Sequence, residues 1–391
     1  MDIRILPGKL QGNIDAIPSK SQAHRLLICS AFADKETILI CPDTNRDIEA
    51  TASCLRALGA DICLTPRGYR VKPIANIPET ATLNCEESGS TLRFLLPIAG
   101  ALGVDTTFQM AGRLPCRPLS PLWEEMERMG CHLSRPTETT IRCTGKLRCG
   151  AYQIDGSISS QFITGLLFAC ALMNGDSHIT IDGKLESKPY VDMTLDAMAL
   201  FGRSVRDFTV NRGAFLSPGE ITVEGDWSNA AFFLAANALG SAVSIGNLNH
   251  KSAQGDMACA KLFAQLDDNI TVECGDIPDL VPILSVVAAT KKGATFTNIR
   301  RLRLKESDRV ASILSLLSAF GCQATATDDT LTVLPGKFTG GTVDACGDHR
   351  IAMSAAIAAT IAQAPITILG AECVSKSYPG FWEEYKRLGG H

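Results

Sequence analysis

Lys20-Ser21-Gln22, followed by Arg25, runs straight into an alanine- and leucine-rich segment typical of a helix, and five other stretches open in the same way. They are Ser88-Gly89-Ser90-Thr91 with Arg93, Ser159-Ser160-Gln161, Asp226-Trp227-Ser228, Asp276-Ile277-Pro278-Asp279, and Gly347-Asp348-His349-Arg350. The first backbone N–H groups of a helix have no partner within the helix, and the helix dipole adds about half a positive charge there. Such ends bind phosphates and carboxylates. The repeated opening therefore indicates a protein that gathers small polyanions.

The repeat continues beyond each opening. A first helix leads to a short β-branched strand, a loop and a second helix that stops near glycine, the residue expected just past a helix. These stops are Leu58-Gly59, Met129-Gly130, Phe201-Gly202, Phe320-Gly321 and Leu388-Gly389. Solenoid repeats have about 20 to 50 residues. Most successive units of this repeat are farther apart than that, so we expect two globular α/β halves of three units each. The fourth unit, from Asp226 to Asp276, is shorter and is expected to lack one strand pair.

Composition excludes several classes of protein. The chain has 391 residues, 46% of them hydrophobic, enough for two or three domains. It has no long apolar run, so we expect a cytoplasmic protein with no membrane segment. The net charge of −4 argues against a nucleic-acid partner. The 15 cysteines are scattered and form no Cys-x-x-Cys pair, which is typical of reduced thiols.

Cofactor motifs are missing as well. The chain has neither a phosphate-binding G-x-x-x-x-G-K-[ST] loop nor a dinucleotide-binding G-x-G-x-x-G turn. Its six histidines show no metal-ligand spacing. We therefore expect no cofactor and no metal, with lysine and arginine alone neutralising any bound phosphate.

The most highly charged stretch is Arg303-Leu304-Lys305-Glu306-Ser307-Asp308-Arg309. On a helix, Lys305 and Arg309 would share one face. Such a run is often a solvated helix start with ion pairs. Here the preceding Thr295–Ile299 segment is typical of a strand, which places the run at a strand-to-helix loop, where functional residues concentrate.

Together these motifs resemble, in order and context, those of the 5-enolpyruvylshikimate-3-phosphate (EPSP) synthase, or 3-phosphoshikimate 1-carboxyvinyltransferase, family. The stretches that carry the resemblance are Pro18–Ser21 with Arg25, Gly112–Pro118, Gly156–Gln161, Ser187–Tyr190, Lys305–Arg309, Asp348–Arg350 and Ser375–Ser377. The resemblance implies two inside-out α/β domains, each built from three βαβαββ repeats. It places residues 1–18 with 227–391 in one domain, residues 19–226 in the other, and the substrates in the cleft between them.

The resemblance also implies a reaction. The enolpyruvyl group of phosphoenolpyruvate would pass to the 5-hydroxyl of shikimate 3-phosphate, releasing phosphate without a metal, in a monomeric enzyme that glyphosate inhibits. The implied ligands of phosphoenolpyruvate are Lys20, Gly89, Arg117, Gln161, Arg309, Arg350 and Lys376. Those of shikimate 3-phosphate are Lys20, Ser21, Arg25, Ser159, Ser160, Gln161, Ser187, Asp279 and Lys305.

Two carboxylates have implied catalytic roles. Asp279 would remove the proton of the 5-hydroxyl, and Glu306 and Lys20 would protonate the methylene carbon of phosphoenolpyruvate and assist phosphate loss. The alternative for Asp279 is a helix cap, and for Glu306 an ion pair with Lys305 or Arg309. His349 could be either a ligand contact or a packed residue of the helix start.

The chain departs from the family pattern at one turn. Glu86-Glu87-Ser88-Gly89-Ser90 replaces the usual Gly-Asn-Ala-Gly-Thr, and Phe94 stands where proline often follows the arginine. These changes leave glyphosate sensitivity open.

Three rival functions remain at this stage. The related transferase that acts on UDP-N-acetylglucosamine has a loop cysteine before an arginine, as in Cys116-Arg117. The RNA 3′-phosphate cyclase has a similar fold, but its nucleotide chemistry has no obvious anchor in this sequence. A non-catalytic anion-binding protein would not place Asp279 and Glu306 among its cations.

Overall fold

The structure is a computed structural model that describes all residues, 1–391. Its strands are β1 (Ile3–Ile5), β2 (Gln11–Asp15), β3 (Thr37–Ile40), β4 (Asp61–Thr65), β5 (Gly68–Lys72), β6 (Thr80–Asn84), β7 (Asp105–Gln109), β8 (Cys131–Thr137), β9 (Thr140–Gly145), β10 (Ala151–Asp155), β11 (Ser177–Asp182), β12 (Thr209–Val210), β13 (Glu220–Thr222), β14 (Ala242–Gly246), β15 (Ile270–Glu273), β16 (Ala294–Thr297), β17 (Ala324–Ala326), β18 (Thr330–Val333), β19 (Gly341–Asp344) and β20 (Ile366–Leu369). Its α-helices are α1 (Lys20–Ala31), α2 (Arg46–Ala57), α3 (Gly89–Leu102), α4 (Leu122–Arg128), α5 (Ser160–Leu172), α6 (Lys188–Leu200), α7 (Trp227–Ala238), α8 (Cys259–Gln265), α9 (Val281–Thr290), α10 (Arg309–Ala319), α11 (His349–Ala359) and α12 (Phe381–Arg387). Four short 3₁₀-helices span Leu114–Cys116, Gly255–Ala258, Arg300–Leu304 and Ala371–Lys376.

The chain forms two compact units. The terminal unit consists of Met1–Ile17 and Gly225–His391, and the central unit consists of Pro18–Glu224. Each unit has its own hydrophobic core. No helix has both the length and the apolar character needed to cross a bilayer.

Three sheets make up the central unit, in the strand orders β13-β3-β5-β4, β6-β7-β9-β8 and β10-β11-β12. Each contains one parallel pair joined to antiparallel neighbours, and the parallel pairs are β3 with β13, β6 with β7, and β10 with β11. A helix leads from β6 to β7 and another from β10 to β11, which is the usual way to connect parallel strands. This βαβ core repeats through the unit.

The terminal unit has the sheets β1-β20-β19, β15-β16-β18-β17 and β14-β2. The last of these has only two strands, which pair in parallel from Ala242↔Gln11 to Gly246↔Asp15. After α8 the chain enters β15 without forming a hairpin. This confirms the prediction that the fourth unit lacks a strand pair.

The first helices of the repeats are buried nearly all round. Every residue of α11 is buried, as are 11 of the 13 residues of α5. A helix without a solvated face belongs inside a core, so the sheets surround the helices, as expected for an inside-out fold. At Gly165 of α5, a Cβ would lie only 2.2 Å from the Arg93 carbonyl oxygen, so glycine permits the close packing of α5 on α3.

Predicted helix starts and stops agree with the structure, with one exception. Side-chain oxygens of Ser19, Ser88, Ser159, Asp226 and Asp348 cap α1, α3, α5, α7 and α11 by accepting backbone N–H bonds. The predicted stops Gly59, Gly130, Gly202, Gly321 and Gly389 all have positive φ. The exception is α9, whose N-cap is Leu280 and makes no side-chain cap bond.

Candidate active site

One group of polar side chains lies at the starts of helices in the central unit. We call it the Lys20 cluster, and its members are Lys20, Ser21, Arg25, Gly89, Ser90, Arg93, Arg117, Ser159, Ser160, Gln161 and Ser187. Within this cluster, hydrogen bonds join α3 to α5, and Arg25 of α1 also donates to Thr164 of α5. The structure therefore brings together residues that are far apart in sequence: Arg93 bonds to Gln161, 68 positions later, and Arg25 bonds to the carbonyl of Tyr190, 165 positions later.

Arg25 is a buried cation held by neutral oxygens. Its guanidinium donates to Thr194 Oγ1 at 2.8 Å and to the carbonyls of Tyr190 at 2.7 Å and Ser21 at 2.5 Å. The side chain is 2% exposed, and burial lowers its pKa to about 10. None of its hydrogen bonds neutralises its charge with a carboxylate, so Arg25 is suited to an anionic ligand.

Lys20 is held differently, because its Nζ lies 2.9 Å from Asp47 Oδ2. Both side chains are largely buried, with 16% and 18% exposure. Asp47 lies in the first turn of α2 and was not singled out from the sequence. Its acidic side chain at a helix start is a common feature, so nothing local distinguished it.

Gly89, at the start of α3, faces two guanidinium groups. A Cβ at this position would lie 2.6 Å from Arg117 Nη1 and 2.7 Å from Arg93 Nη1. Arg93 is buried and donates to Gln161 Oε1 at 3.0 Å, and Gln161 in turn donates to Ser90 Oγ at 2.9 Å. Glycine therefore leaves space for two cations beside a helix N-terminus, and this combination favours the binding of an anion.

Three of the five serines of the cluster lie at the starts of α5 and α6. Ser159 caps α5, Ser160 is its first residue, and Ser187 immediately precedes α6. Ser187 is buried and has a left-handed backbone, with φ of 54°. Such a conformation is uncommon for a residue with a side chain and recurs at functional sites.

A second group, which we call the Asp279 cluster, lies in the terminal unit. Its members are Asp279, Lys305, Glu306, Arg309, Asp348, Arg350 and Lys376. Asp279 Oδ1 accepts from Arg309 Nη1 at 2.7 Å, and Oδ2 accepts from Arg350 Nη2 at 2.9 Å. Lys305 Nζ lies 3.5 Å from Asp279 Oδ1. One carboxylate is thus surrounded by three cations.

Arg309 lies at the centre of this cluster and is 1% exposed. Besides Asp279, it contacts Glu306 Oε2 at 2.5 Å and Asp348 Oδ2 at 2.7 Å. Ser307 donates a further hydrogen bond to Asp348, which is itself buried. Of the two ion pairs considered as the alternative for Glu306, the one with Arg309 is therefore present.

Charges in the Asp279 cluster shift each other's pKa. Burial alone would raise the pKa of Asp279, but Arg350, Lys305 and Arg309 outweigh it and hold that pKa well below its usual value. Burial lowers the pKa of Lys305, and Asp279 opposes this effect. The carboxylate remains ionised but is a weak base while it is bound to these cations.

The charged run lies in a strand-to-helix connection, as expected, and not on one helix. Arg300–Leu304 is a 3₁₀-helix, Lys305 follows it in extended backbone, and α10 begins only at Arg309. Lys305 and Arg309 therefore do not share a helix face. They still meet, because both reach Asp279 from opposite ends of this loop.

Asp279 is not the helix cap that its alternative interpretation predicted. Leu280 occupies the cap position of α9, and the Asp279 carboxylate bonds to arginine side chains from α10 and α11. Its partners lie 30 and 71 residues away in sequence.

Lys376, His349 and Asp256 of the terminal unit differ in their surroundings. Lys376 donates to the Gly347 carbonyl at 3.1 Å, just before the start of α11. His349 is 1% exposed in the first turn of that helix, which favours packing over a ligand contact. Asp256 is buried and accepts from Ser228, and burial with the nearby Asp279 charge raises its pKa to about 7. No sequence motif pointed to Asp256.

Neither cluster offers a metal site. No group of three or more His, Cys, Asp or Glu side chains is arranged to hold an ion. Cys116 is exposed at the end of its 3₁₀-helix, beside Arg117. Cations of this kind can bind anions, and carboxylates and a lysine of this kind can transfer protons.

The repeated βαβ units and the buried cations at the starts of their helices define an α/β protein of the enolpyruvyl transferase fold. A solved EPSP synthase structure from Acinetobacter baumannii superposes with a TM-score of 0.81 at 23% identity, covering 99% of this chain and 98% of that one. At this identity, the similarity shows the fold alone.

Sequence comparison identifies the family. The model of the EPSP synthase (3-phosphoshikimate 1-carboxyvinyltransferase) family matches residues 6–385. The 3-phosphoshikimate 1-carboxyvinyltransferase of Clostridium kluyveri is 37% identical over 99% of this chain and 97% of its own length. The Clostridium perfringens protein of that name is 38% identical over 99% of this chain and 98% of its own. The chain belongs to the EPSP synthase family.

Proposed function

We propose that this protein transfers the enolpyruvyl group of phosphoenolpyruvate to the 5-hydroxyl of shikimate 3-phosphate, a step of aromatic amino-acid biosynthesis. The observation that carries the proposal is the position of Asp279, a carboxylate among three cations in a chain that the family model matches over residues 6–385. A receptor for anions would gain nothing from such a group, because it repels the ligand. A transferase needs it to accept a proton.

Both units are proposed to contribute to one active site. Buried Arg25, with Lys20, Ser21, Ser159, Ser160, Gln161 and Ser187, would bind shikimate 3-phosphate together with Asp279 and Lys305. Lys20, Gly89, Arg117, Gln161, Arg309, Arg350 and Lys376 would bind phosphoenolpyruvate. Each substrate carries a phosphate and a carboxylate, and this is the charge that so many cations can neutralise.

Substrate binding is proposed to activate Asp279. In the structure its carboxylate is the partner of Arg309 and Arg350. When phosphoenolpyruvate supplies anionic oxygens to these two arginines, they attract Asp279 less, and its pKa rises toward its usual value. Asp279 then accepts the proton of the 5-hydroxyl as the hydroxyl oxygen bonds to the second carbon of phosphoenolpyruvate.

Glu306 and Lys20 are proposed to handle the second proton. One of them protonates the methylene carbon of phosphoenolpyruvate during addition. When phosphate leaves, the resulting methyl group loses a proton and the double bond forms again. Arg309, 2.5 Å from Glu306, holds this carboxylate in place and would stabilise the departing phosphate.

The test is an assay of phosphate release with phosphoenolpyruvate and each acceptor in turn. Release with shikimate 3-phosphate, retained in the presence of a chelator, is the expected result. Release with UDP-N-acetylglucosamine alone would assign the cell-wall reaction instead. Binding of both proposed substrates without release would make the protein an anion receptor.

We further propose a cytoplasmic, monomeric enzyme. Light scattering coupled to size-exclusion chromatography should give a mass near the 41.7 kDa of one chain. Twice that mass at working concentrations would contradict the monomer.

A further inference from the structure

A row of buried polar groups connects α1, α2 and α3 in the central unit. Nδ1 of His24 lies 2.7 Å from Thr51 Oγ1, and this oxygen lies 2.6 Å from Thr91 Oγ1. Thr91 Oγ1 lies 2.8 Å from Ser88 Oγ, which caps α3. None of the four side chains is more than 1% exposed. Because a buried polar group without a partner is costly, each of these groups depends on its neighbours.

The direction of these hydrogen bonds can be worked out from the His24 end. Nε2 of His24 is buried and has no acceptor within hydrogen-bond distance, so a proton on Nε2 would leave an unpaired buried N–H group, which is rare in folded proteins. This favours the tautomer with the proton on Nδ1, which then donates to Thr51 Oγ1. The Thr51 hydroxyl in turn donates to Thr91, and the Thr91 hydroxyl donates to Ser88 Oγ at 2.8 Å or to the Asp47 carbonyl oxygen, 3.5 Å away.

His24 is consequently the donor at the start of the row. Its Nδ1 carries the ring proton, and Nε2, which is buried and has no hydrogen-bond partner, carries the lone pair. Burial and the nearby Lys20 and Arg25 charges hold the pKa of His24 well below its usual value, so the ring is neutral. The edge-on ring of Phe94, 6.3 Å away, is one of its apolar neighbours.

We propose that His24 is a positioning residue whose one-way hydrogen-bond chain through Thr51 and Thr91 fixes the first turn of α3. This turn carries Gly89, beside Arg93 and Arg117. The chain also reaches the backbone of Asp47, whose carboxylate holds Lys20. The assignment of this turn to phosphoenolpyruvate rests on the proposed function, whereas the hydrogen-bond chain rests on the geometry alone.

The hydrogen-bond chain makes a structural prediction that can be tested without measuring enzyme activity. In protein labelled with ¹⁵N-histidine, long-range ¹H–¹⁵N spectra should show His24 as a neutral ring protonated on Nδ1 at every pH from 5.5 to 8. The His24→Phe variant assigns the signal by its loss. A ring protonated on Nε2, or one that titrates in this range, would overturn the proposal.

A kinetic experiment tests the positioning role. Thr51→Val removes the acceptor of the His24 proton while keeping the side-chain shape. It should raise KM for phosphoenolpyruvate about tenfold, the equivalent of about 1.4 kcal/mol. KM for shikimate 3-phosphate should stay within about twofold, because Arg25 has separate partners. Thr51→Ser, which restores the hydroxyl, should recover the parent KM.

The matched control is Thr37→Val, which removes a buried hydroxyl bonded at 2.7 Å to Ser217 in the same unit. It should lower stability without changing either KM. Equal effects of the Thr51 and Thr37 variants on both KM values would show that the hydrogen-bond chain contributes only to general packing, and would overturn the proposal. If Thr51→Val does not fold, Thr91→Val replaces it. A parent enzyme that releases no phosphate would refute the proposed function. The spectra of His24 would still show whether the hydrogen-bond chain has the proposed direction.

Discussion

Replacing Asp279 by asparagine removes one negative charge from the most highly charged part of the molecule while nearly preserving the shape. The carboxylate holds Arg309 at 2.7 Å and Arg350 at 2.9 Å, and its side chain is 17% exposed. A hydrogen bond to a charged group contributes about 1.5 to 3 kcal/mol. Asparagine keeps one acceptor oxygen, and Arg309 keeps Asp348 and Glu306. We therefore expect the free energy of unfolding to fall by about 2 to 4 kcal/mol.

The same change should affect ligand binding in the opposite direction. An incoming anion no longer competes with a carboxylate for the two arginines, so inorganic phosphate should bind the Asp279→Asn variant up to about tenfold more tightly. Turnover should nevertheless fall by about 10² to 10⁴, because asparagine cannot accept the hydroxyl proton. Tighter binding together with slower chemistry is the result that distinguishes a base from a simple ligand.

Three measurements check this expectation: urea denaturation, calorimetric titration with inorganic phosphate, and the rate of phosphate release. Asp276→Asn is the matched control, since Asp276 is exposed three residues earlier in the same turn. Near-normal turnover of the Asp279 variant would remove this residue from the mechanism. Weaker phosphate binding would refute the competition between carboxylate and ligand.

Three other variants test separate parts of the molecule. The pKa of Asp256 is raised to about 7, above its ordinary value of about 3.9. The stability of the folded protein therefore falls as pH rises from about 4 to 7 and this carboxyl ionises. Asp256→Asn should therefore gain up to about 4 kcal/mol over the parent at pH 8 and almost nothing at pH 4 in denaturation experiments, and a gain independent of pH would contradict this. Gly89→Ala places a Cβ 2.6 Å from Arg117 Nη1. KM for phosphoenolpyruvate should therefore rise about tenfold, and competitive inhibition by glyphosate should weaken. A parent enzyme insensitive to glyphosate would show that the altered turn at Glu87 affects inhibitor binding more than Gly89 does. Cys116→Ser should keep most activity, and intact-protein mass spectrometry should find no phosphoenolpyruvate adduct on the parent; a stable adduct with turnover of UDP-N-acetylglucosamine would favour the cell-wall enzyme.

Local sequence determined the repeat and its boundaries. Helices begin at Lys20 and directly after Ser88 and Asp348, and Gly59 and Gly321 follow helix ends, as expected. These signals are readable because a cap bond joins residues two or three apart, and a left-handed stop depends on a single residue. The same reasoning placed most of the candidate site residues at helix starts, and the family resemblance supplied their roles.

Tertiary structure alone decided how these residues are paired. Asp279 could be read locally as a cap, yet its carboxylate bonds to arginines 30 and 71 residues away. Asp47 as the partner of Lys20, and Asp256 with its raised pKa, left no recognisable pattern in the sequence. The physical reason is that ion pairing and pKa depend on distance and burial in three dimensions. Both quantities are set only when helices from separate repeats pack together.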